Sequence, residues 1–209
     1  MRVGFLALLD YFEAKRILDK YGIKSVESAY VNSAEEAVRF ASGKPIVLKL
    51  ISDKAIHKSK SGLVKLNLRD EGSIEDAFSE LSAKGKTLKP YKVIAQRMAE
   101  SGIEIIVGSK TDSQFGKAIL LGLGGIYVET FRDFAIRICP IKKRDAVSMI
   151  EQLKSKDIVT YNGLASAMLI DLLLKMSRLI TENDISEIDL NPIIIRKDSY
   201  EAVDIRMLK

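Results

Sequence analysis

The stretch from Lys49 to Leu68, KLISDKAIHKSKSGLVKLNL, is the part of this chain on which the expected fold and chemistry depend. It holds His57, the only histidine among the 209 residues, and imidazole is the side chain whose unperturbed pKa lies closest to neutral pH. The run after His57 is small, polar and cationic and separates two apolar segments, a pattern typical of an exposed loop. A lone histidine is more often a solvated loop residue than a catalytic one, and that alternative stays open here.

Lys49 adds a second signal, because it lies inside the apolar run from Pro45 to Ile51, which predicts a strand. A lysine within a strand is rarely fully buried without a partner. Lys49 therefore lies either on a solvated face or in a cleft where its ammonium reaches phosphate, as strand lysines do in phosphoryl-transfer enzymes.

The composition indicates a globular protein that handles small anions rather than nucleic acid. The hydrophobic fraction is 47%, and the net charge of +5 comes from basic residues interleaved with 28 acidic ones, without a basic stripe. No run is long and apolar enough to span a bilayer, and the start of the chain lacks a signal-peptide pattern. The single cysteine, Cys139, cannot form an internal disulfide. We therefore expect a cytoplasmic protein whose partners include neither nucleic acid nor membrane.

Hydrophobic periodicity predicts a first part in which helices and strands alternate and a second part built mainly from antiparallel strands. Helices are predicted within residues 10–21, 33–43, 73–85, 142–153 and 164–180. Strands are predicted at residues 25–31, 46–51, 63–68, 93–98, 103–107, 118–123, 134–138, 185–195 and 200–205. The strands from residue 93 onward are joined by short turns, so the second part is expected to begin with them.

The C-terminal end carries a group of oxygen-bearing side chains. Glu187, Asp189 and Asn191 alternate along a predicted strand and therefore point to one face, and Asp204 is expected on the next strand. Carboxylate and amide oxygens are hard ligands that suit Mg²⁺, which usually takes one or two carboxylates plus phosphates and water. The alternative is a solvated acidic face. It is less favoured for the whole group, because acidic residues are disfavoured in strands.

Two further features are weak signals. The glycine-rich run Leu121–Ile126 could approach a phosphate, but it is not followed by the helix of a dinucleotide fingerprint, and a turn between strands explains it equally well. Cys139 is expected to be a small core residue, and a chain with one cysteine and one histidine lacks the ligands of a zinc site. A serine–histidine–acid triad stays open, although nothing marks a nucleophile elbow.

Three segments of the chain, in the family's order, resemble the ADP-forming acyl-CoA synthetases, an ATP-grasp family. They are VLKLISDKAIHKSKSGLVKLNL at residues 47–68, GIEIIVGSKTDSQFGKAILLGLGGIYVETFRDFAIRICP at 102–140 and EIDLNPIIIRKDSYEAVDIR at 187–206. The resemblance covers nearly the whole chain and is to the small β subunit of archaeal ADP-forming acetate–CoA ligases. Succinyl-CoA synthetase β subunits are more distantly similar.

The resemblance implies an α+β, two-lobed ATP-grasp fold in a single domain over residues 1–209. A nucleotide cleft would separate a smaller N-terminal lobe, about 22–95, from a larger, mainly antiparallel lobe, about 96–209 plus the N-terminal helix. It implies ATP or ADP and Mg²⁺ as cofactors and His57 as the residue that becomes transiently phosphorylated. The nucleotide-binding residues it implies are Lys49, Gln96, Arg97, Met98, Glu104, Gly124, Gly125, Glu129 and Arg137, and the metal-binding residues are Asn191, Asp204 and Asp189.

The chain departs from the family pattern at Lys60, Leu63, Arg97 and Lys117. The implied function is that of the β subunit of an ADP-forming acyl-CoA synthetase, which needs a CoA-binding α subunit, in an expected α2β2 assembly. Acid and CoA would bind mainly to that partner. Two alternatives stay open: a non-catalytic or regulatory nucleotide-binding module, and a ligase of the succinyl-CoA synthetase type.

Overall fold

The computed structural model describes residues 7–52, 54, 62–125 and 133–209. His57, Lys60 and Glu129 lie outside this part of the chain. The helices within it are α1 Tyr11–Lys20, α2 Ala34–Ala41, α3 Glu71–Gly85, α4 Lys143–Gln152, α5 Lys156–Val159 and α6 Ser166–Glu182. The strands are β1 Ser28–Val31, β2 Ile46–Ile51, β3 Val64–Leu68, β4 Lys92–Arg97, β5 Ile103–Asp112, β6 Gly116–Leu123, β7 Phe134–Ile138, β8 Glu187–Ile195, β9 Tyr200–Ala202 and β10 Ile205–Leu208.

Two compact units make up the chain. The small unit is Val26–Ala99, and the large unit combines Met1–Ser25 with Glu100–Lys209. Each unit contains one antiparallel sheet with helices packed against it, which confirms the α+β class predicted from the sequence.

The small unit is a four-stranded antiparallel sheet, in the order β1-β4-β2-β3, with α2 and α3 on one face. Side chains alternate between the faces of a strand, and Leu48 and Leu50 of β2 lie in the same buried cluster as Ala37 of α2 and Leu81 of α3. That cluster fixes the register of β2, because a shift of one residue would turn its apolar side chains out of the core.

The large unit is a six-stranded antiparallel sheet in the order β10-β8-β5-β6-β7, with β9 also paired to β8. Val107, Ile119 and Leu121 are fully buried on the face that packs against α6. The buried side chains of α6 are Leu169, Leu172, Leu173, Met176, Ser177, Leu179 and Ile180. The opposite face of this sheet carries Asp189 and its neighbours.

The structure corrects the predicted place of the strand at 93–98. It is β4, but it pairs with β1 and β2 in the small unit rather than with the strands that follow it. Helix α3 also starts earlier than predicted, at Glu71, because the Asp70 carboxylate accepts a hydrogen bond from the Ser73 amide (2.9 Å). Ser73 is thus the third residue of a capping box and not the N-cap.

The end of the chain is corrected as well. The strand predicted at 200–205 is two strands, β9 and β10, with Asp204 in the break between them. Helix α5 was not predicted, since a single turn is too short to show a periodic stripe. Among the described residues, no helix is both long and apolar enough to cross a membrane.

Candidate functional site

Lys49 lies on the face of the small-unit sheet that points away from the helices. Its neighbours Leu48 and Leu50 belong to the core under α2 and α3, so the alternation of β2 turns Lys49 to the other side. The residue is only 8% exposed, and it stands between Val64 of β3 and Ile94 of β4 in the ladders. The sequence left two positions open for the Lys49 ammonium, a solvated face or a cleft, and this low exposure excludes the solvated face.

Gln96 shares that face with Lys49. It stands opposite Val47, which is two residues before Lys49 on β2, so both side chains project from the same side of adjacent strands. Gln96 is 1% exposed, and its amide nitrogen donates to the Ser28 hydroxyl (3.2 Å). The small unit therefore brings together two of the expected nucleotide-binding residues.

Arg97 and Met98, two further expected nucleotide-binding residues, both use their backbone amides in hydrogen bonds within the small unit. The Arg97 amide donates to the Glu27 carbonyl (2.9 Å), and the Met98 amide donates to the Pro45 carbonyl (3.1 Å). In a hydrogen-bonded antiparallel pair, each residue normally donates its N–H to the carbonyl of the other. Pro45 has no N–H, so it cannot donate to the Met98 carbonyl. The sequence analysis missed this role of Pro45, although a proline at the start of a strand is a visible signal. The Met98 carbonyl thus keeps an acceptor position that its ladder partner does not fill.

The Arg97 side chain is held within the small unit. Its guanidinium lies 3.1 Å from the Glu27 carboxylate, donates to the Ala41 carbonyl at the end of α2 (2.6 Å) and stacks 4.7 Å from the Phe40 ring centre. A cation at a helix C-terminus interacts favourably with the free carbonyl groups there. This departure from the family pattern therefore has a structural explanation.

Glu104 and the glycine pair are brought together in the large unit. The Gly124 amide donates to the Glu104 carbonyl (2.7 Å), and a Cβ at Gly124 would lie 2.9 Å from the Glu104 carbonyl carbon. Gly125 has a φ of +73°, a conformation that residues other than glycine rarely adopt. Close backbone approach therefore requires glycine at 124, and a Cβ at Gly125 would lie 2.9 Å from a Glu104 carboxylate oxygen.

Arg137 is not brought to the other expected site residues of the large unit. It stands opposite Ile119, on the helix-covered face, and its guanidinium donates to the Gln152 side chain (3.0 Å) and the Ser148 hydroxyl (2.8 Å) of α4. Asp189 lies on the other face of the same sheet. It stands opposite Gly108 on β5, and the next residue of β5, Ser109, is on the helix-covered face, so Gly108 and Asp189 are on the opposite face. Arg137 therefore serves to join β7 to α4.

Asn191 and Asp204 lie side by side in the large-unit sheet. Ile205 stands opposite Leu190, and the Val203 amide donates to the Pro192 carbonyl (3.0 Å), so these two pairings bracket Asn191 and Asp204. The pairing of β8 with β5 also shifts by one residue here, which marks a β-bulge. Bulges occur frequently next to active sites, where they redirect a side chain.

The other two oxygen-bearing residues of the group have different neighbours. Asp189 stands directly opposite Arg206 of β10, and the Glu187 carboxylate lies 3.9 Å from the Lys110 ammonium. Within the described ranges, no three acidic, histidine or cysteine side chains form a group that could hold a metal ion. Asn191 and Asp204 alone supply two oxygen ligands. That donor set fits Mg²⁺, which completes its shell with phosphates and water.

Lys117 and Leu63, two further departures from the family pattern, are structural. The Lys117 ammonium donates to the Ile180 (2.6 Å) and Asn183 (2.8 Å) carbonyls and so caps the C-terminal end of α6. Leu63 is 9% exposed and belongs to the core cluster of the small unit. Neither residue removes a ligand from the candidate site.

Asp133, which the sequence analysis did not single out, anchors the chain immediately before β7. Its carboxylate accepts hydrogen bonds from the Lys154 amide (2.9 Å), the Ser155 amide (2.8 Å) and the Ser155 hydroxyl. Burial raises the pKa of this carboxyl group, but the hydrogen bonds outweigh burial, so its pKa lies below the ordinary value. The start of β7 is thereby fixed to the turn before α5.

Comparison with known proteins gives a match over almost the whole chain. The sequence profile of the ATP-grasp domain family matches residues 6–208. The chain is 40% identical over 207 residues to the β subunit of the ADP-forming acetate–CoA ligase I of Pyrococcus furiosus, which covers 94% of this chain and 89% of that protein. It is 36% identical over 209 residues to the ADP-forming acetate–CoA ligase I of Archaeoglobus fulgidus, covering 94% of this chain but only 30% of that longer protein.

One similar solved structure is that of the dinucleotide-forming acetyl-coenzyme A synthetase 1 of Ca. Korarchaeum cryptofilum with coenzyme A and Mg-AMPPCP. Its phosphohistidine segment points towards the nucleotide-binding site. The TM-score is 0.80 at 36% identity, and the match covers 96% of this chain and 92% of that one.

Proposed function

Because the chain belongs to the ATP-grasp family, and within it to the β subunits of ADP-forming acetate–CoA ligases, we propose that it is the nucleotide-binding subunit of an ADP-forming acyl-CoA synthetase. It binds ATP or ADP with Mg²⁺ and transfers a phosphoryl group through His57. The reaction is acyl-CoA + ADP + phosphate ⇌ acid + CoA + ATP.

The observation that carries this proposal is the pair Asn191 and Asp204 at the β-bulge of β8. Two oxygen ligands side by side are what a magnesium–nucleotide complex takes from a protein, since phosphates and water fill its remaining positions. When bound there, the metal would neutralise negative charge on the phosphates. Lys49, on the helix-free face of the small unit, is the cation that the family resemblance assigns to nucleotide phosphates.

The phosphoryl transfer assigned to His57 needs no reactant besides ATP and the imidazole. A neutral imidazole nitrogen attacks the γ-phosphorus, an N–P bond forms, the bond to the β–γ bridging oxygen breaks, and ADP leaves with the electron pair. Phosphohistidine then gives its phosphoryl group to the acid, which makes an acyl phosphate, and CoA displaces phosphate from that intermediate. Lys49 and the metal ligands stabilise charge in the first transfer.

We also infer a partner subunit that carries CoA, in an α2β2 assembly located in the cytoplasm. The β-subunit relative matches this chain over most of its length, whereas the Archaeoglobus fulgidus ligase continues far beyond the matched part. The two Pyrococcus furiosus relatives are named as β subunits, and this naming supports a partner subunit for this chain.

The test is His57→Ala in the complex reconstituted from this chain and its CoA-binding partner, with Ser59→Ala in the same segment as the control. With γ-labelled ATP, the unchanged complex and Ser59→Ala should gain an acid-labile, base-stable label and form acyl-CoA. His57→Ala should do neither. A His57→Ala complex with full turnover would refute the proposal and would favour a non-catalytic nucleotide-binding module.

A further inference from the structure

An arginine of β10 lies on the face of the large-unit sheet that carries the candidate metal ligands. Ile205 stands opposite Leu190, which in turn stands opposite Val107 on the face that packs against α6. Side chains alternate along a strand, so the next residue, Arg206, points to the other side, where its ladder partner is Asp189. We call this side of the large-unit sheet the Asp189 face.

The core on either side of Arg206 fixes its place in the sheet. Ile205 and Met207 are buried, whereas Arg206 between them is exposed. A shift of β10 by one residue would put the arginine into the core and turn both apolar side chains outward. The guanidinium is therefore held on the Asp189 face by the pattern of its own strand.

Arg206 is a close neighbour of both candidate metal ligands. It follows Asp204 by two residues, which corresponds to about 7 Å along an extended chain. It is also diagonal to Asn191, because Asn191 lies two residues beyond its ladder partner Asp189, and diagonal neighbours are about 7–8 Å apart. The long arginine side chain can span either spacing, so its guanidinium can reach a phosphate of a nucleotide bound at these ligands.

The guanidinium of Arg206 is available for a ligand. In the part of the chain that the structure describes, no residue forms a hydrogen bond or an ion pair with it. Lys110, a second cation on the Asp189 face, differs in this respect, since its ammonium lies 3.9 Å from the Glu187 carboxylate. Arg206 and Lys110 thus form a natural pair for comparison: one cation without a described acidic partner and one with such a partner.

The surroundings of the metal ligands are acidic and make a cation valuable there. Asp189 and Asp204 both carry carboxylates, and a magnesium–ATP complex itself keeps a net negative charge, so the two would repel each other. An arginine beside them reduces this repulsion. Its planar guanidinium also donates to two phosphate oxygens at once, which a lysine cannot do.

We propose that Arg206 contacts the phosphates of the nucleotide whose metal ion Asn191 and Asp204 would bind. The inference rests on the nucleotide binding in the proposed function and adds a residue of β10 to it. Because Arg206 acts on the phosphates and not on the base, its contribution belongs to ATP, to ADP and to polyphosphate without a nucleoside.

The experiment compares Arg206→Met, Arg206→Lys and the matched control Lys110→Met in the complex with the CoA-binding partner. Dissociation constants are measured at equilibrium for Mg-ATP, for Mg-tripolyphosphate and, by competition, for adenosine, which lacks phosphate. Arg206→Met should weaken the binding of both polyphosphates about 20-fold and leave adenosine unchanged, since it removes a charge-assisted contact to phosphate. Arg206→Lys, which keeps the charge, should recover most of the affinity, and Lys110→Met should bind all three ligands normally.

Urea unfolding of the same variants separates this contact from a structural role. The exposed Arg206 should be replaceable by methionine without a loss of stability, whereas an arginine that serves the fold would change unfolding and not Mg-ATP affinity. Unchanged Mg-ATP binding by Arg206→Met, equal losses in Arg206→Met and Lys110→Met, or an equal loss for adenosine would each overturn the inference. Full turnover by His57→Ala, together with weakened Mg-ATP binding by Arg206→Met, would overturn the proposed phosphoryl transfer and support the phosphate contact.

Discussion

At the scale of single residues, Lys49 shows how helix packing decides the face of the sheet on which a strand side chain lies. The apolar run around it predicted a strand, and the helices of the small unit determine which of its two faces is core. The sequence could place Lys49 on a strand but could not choose its face, because that depends on where α2 and α3 pack.

The variant Lys49→Met tests whether the charge of Lys49 acts in phosphoryl transfer. We expect Lys49→Met to reduce His57 labelling from ATP by about 100-fold, since it removes a cation that stabilises the transferring phosphoryl group. Methionine keeps an unbranched apolar stem of similar length, so the chain should still fold and the loss of labelling can be assigned to the missing charge. The measurements are labelling rates and urea unfolding, with exposed Lys44→Met as the control. Normal labelling by Lys49→Met would refute the assigned role.

The candidate metal ligands were predictable as a group but not individually. Alternation identified Glu187, Asp189 and Asn191 as one face of a strand, and the structure keeps that face. The alternation in sequence could not show that Lys110 lies beside Glu187 and Arg206 beside Asp189, because these contacts come from neighbouring strands. Asp204 lies beside Asn191 because the Leu190–Ile205 pairing and the Val203–Pro192 hydrogen bond flank them, and only the structure reveals these contacts.

At the scale of elements, the errors arise where a partner is distant in sequence. Strand β4 was grouped with the strands that follow it, because short turns suggested hairpins. Its ladder with β2 instead pairs Val47 with Gln96, residues far apart along the chain. The start of α3 was misplaced for a local reason: Asp70 and Ser73 are both good capping residues, and only the geometry shows which one is the N-cap.

Asp133 links two elements, and its effect on stability should depend on pH. The folded pKa is below the unfolded one, so its contribution is complete above the unfolded pKa and is lost as pH falls through the folded pKa. We expect Asp133→Asn to lower the free energy of unfolding by about 2 kcal/mol at pH 7, with the difference shrinking below pH 4. Urea unfolding at pH 7 and pH 3 measures this, with exposed Asp184→Asn as the control. A pH-independent difference would contradict the assignment.

At the scale of the whole molecule, the sequence predicted a first part in which helices and strands alternate and a second part of mainly antiparallel strands. The family resemblance is confirmed by the match over residues 6–208. The regular α-helical stripes, such as Ile74, Ala77 and Leu81, were also predicted correctly, because a 3.6-residue repeat is a strong local signal.

The isolated chain is expected to bind ATP without making acyl-CoA. With ATP at about 100 times its Kd, binding adds about 2.7 kcal/mol to stability, which raises Tm by roughly 5–10 °C for a chain of this size. The rise should need Mg²⁺ and should shrink in Asp204→Asn. Thermal unfolding with and without EDTA measures it, and an assay of acyl-CoA checks turnover. Acyl-CoA formed by the isolated chain would contradict the need for a partner.

Pro45 has a consequence for the choice of nucleobase. The carbonyl of Met98, which Pro45 cannot bond, can only accept a hydrogen bond. If the base of the nucleotide meets this carbonyl, the 6-amino group of adenine supplies a donor, whereas guanine presents an oxygen at the same ring position and would be repelled. A proline just before β2 would in this way disfavour GTP at the residue just after β4.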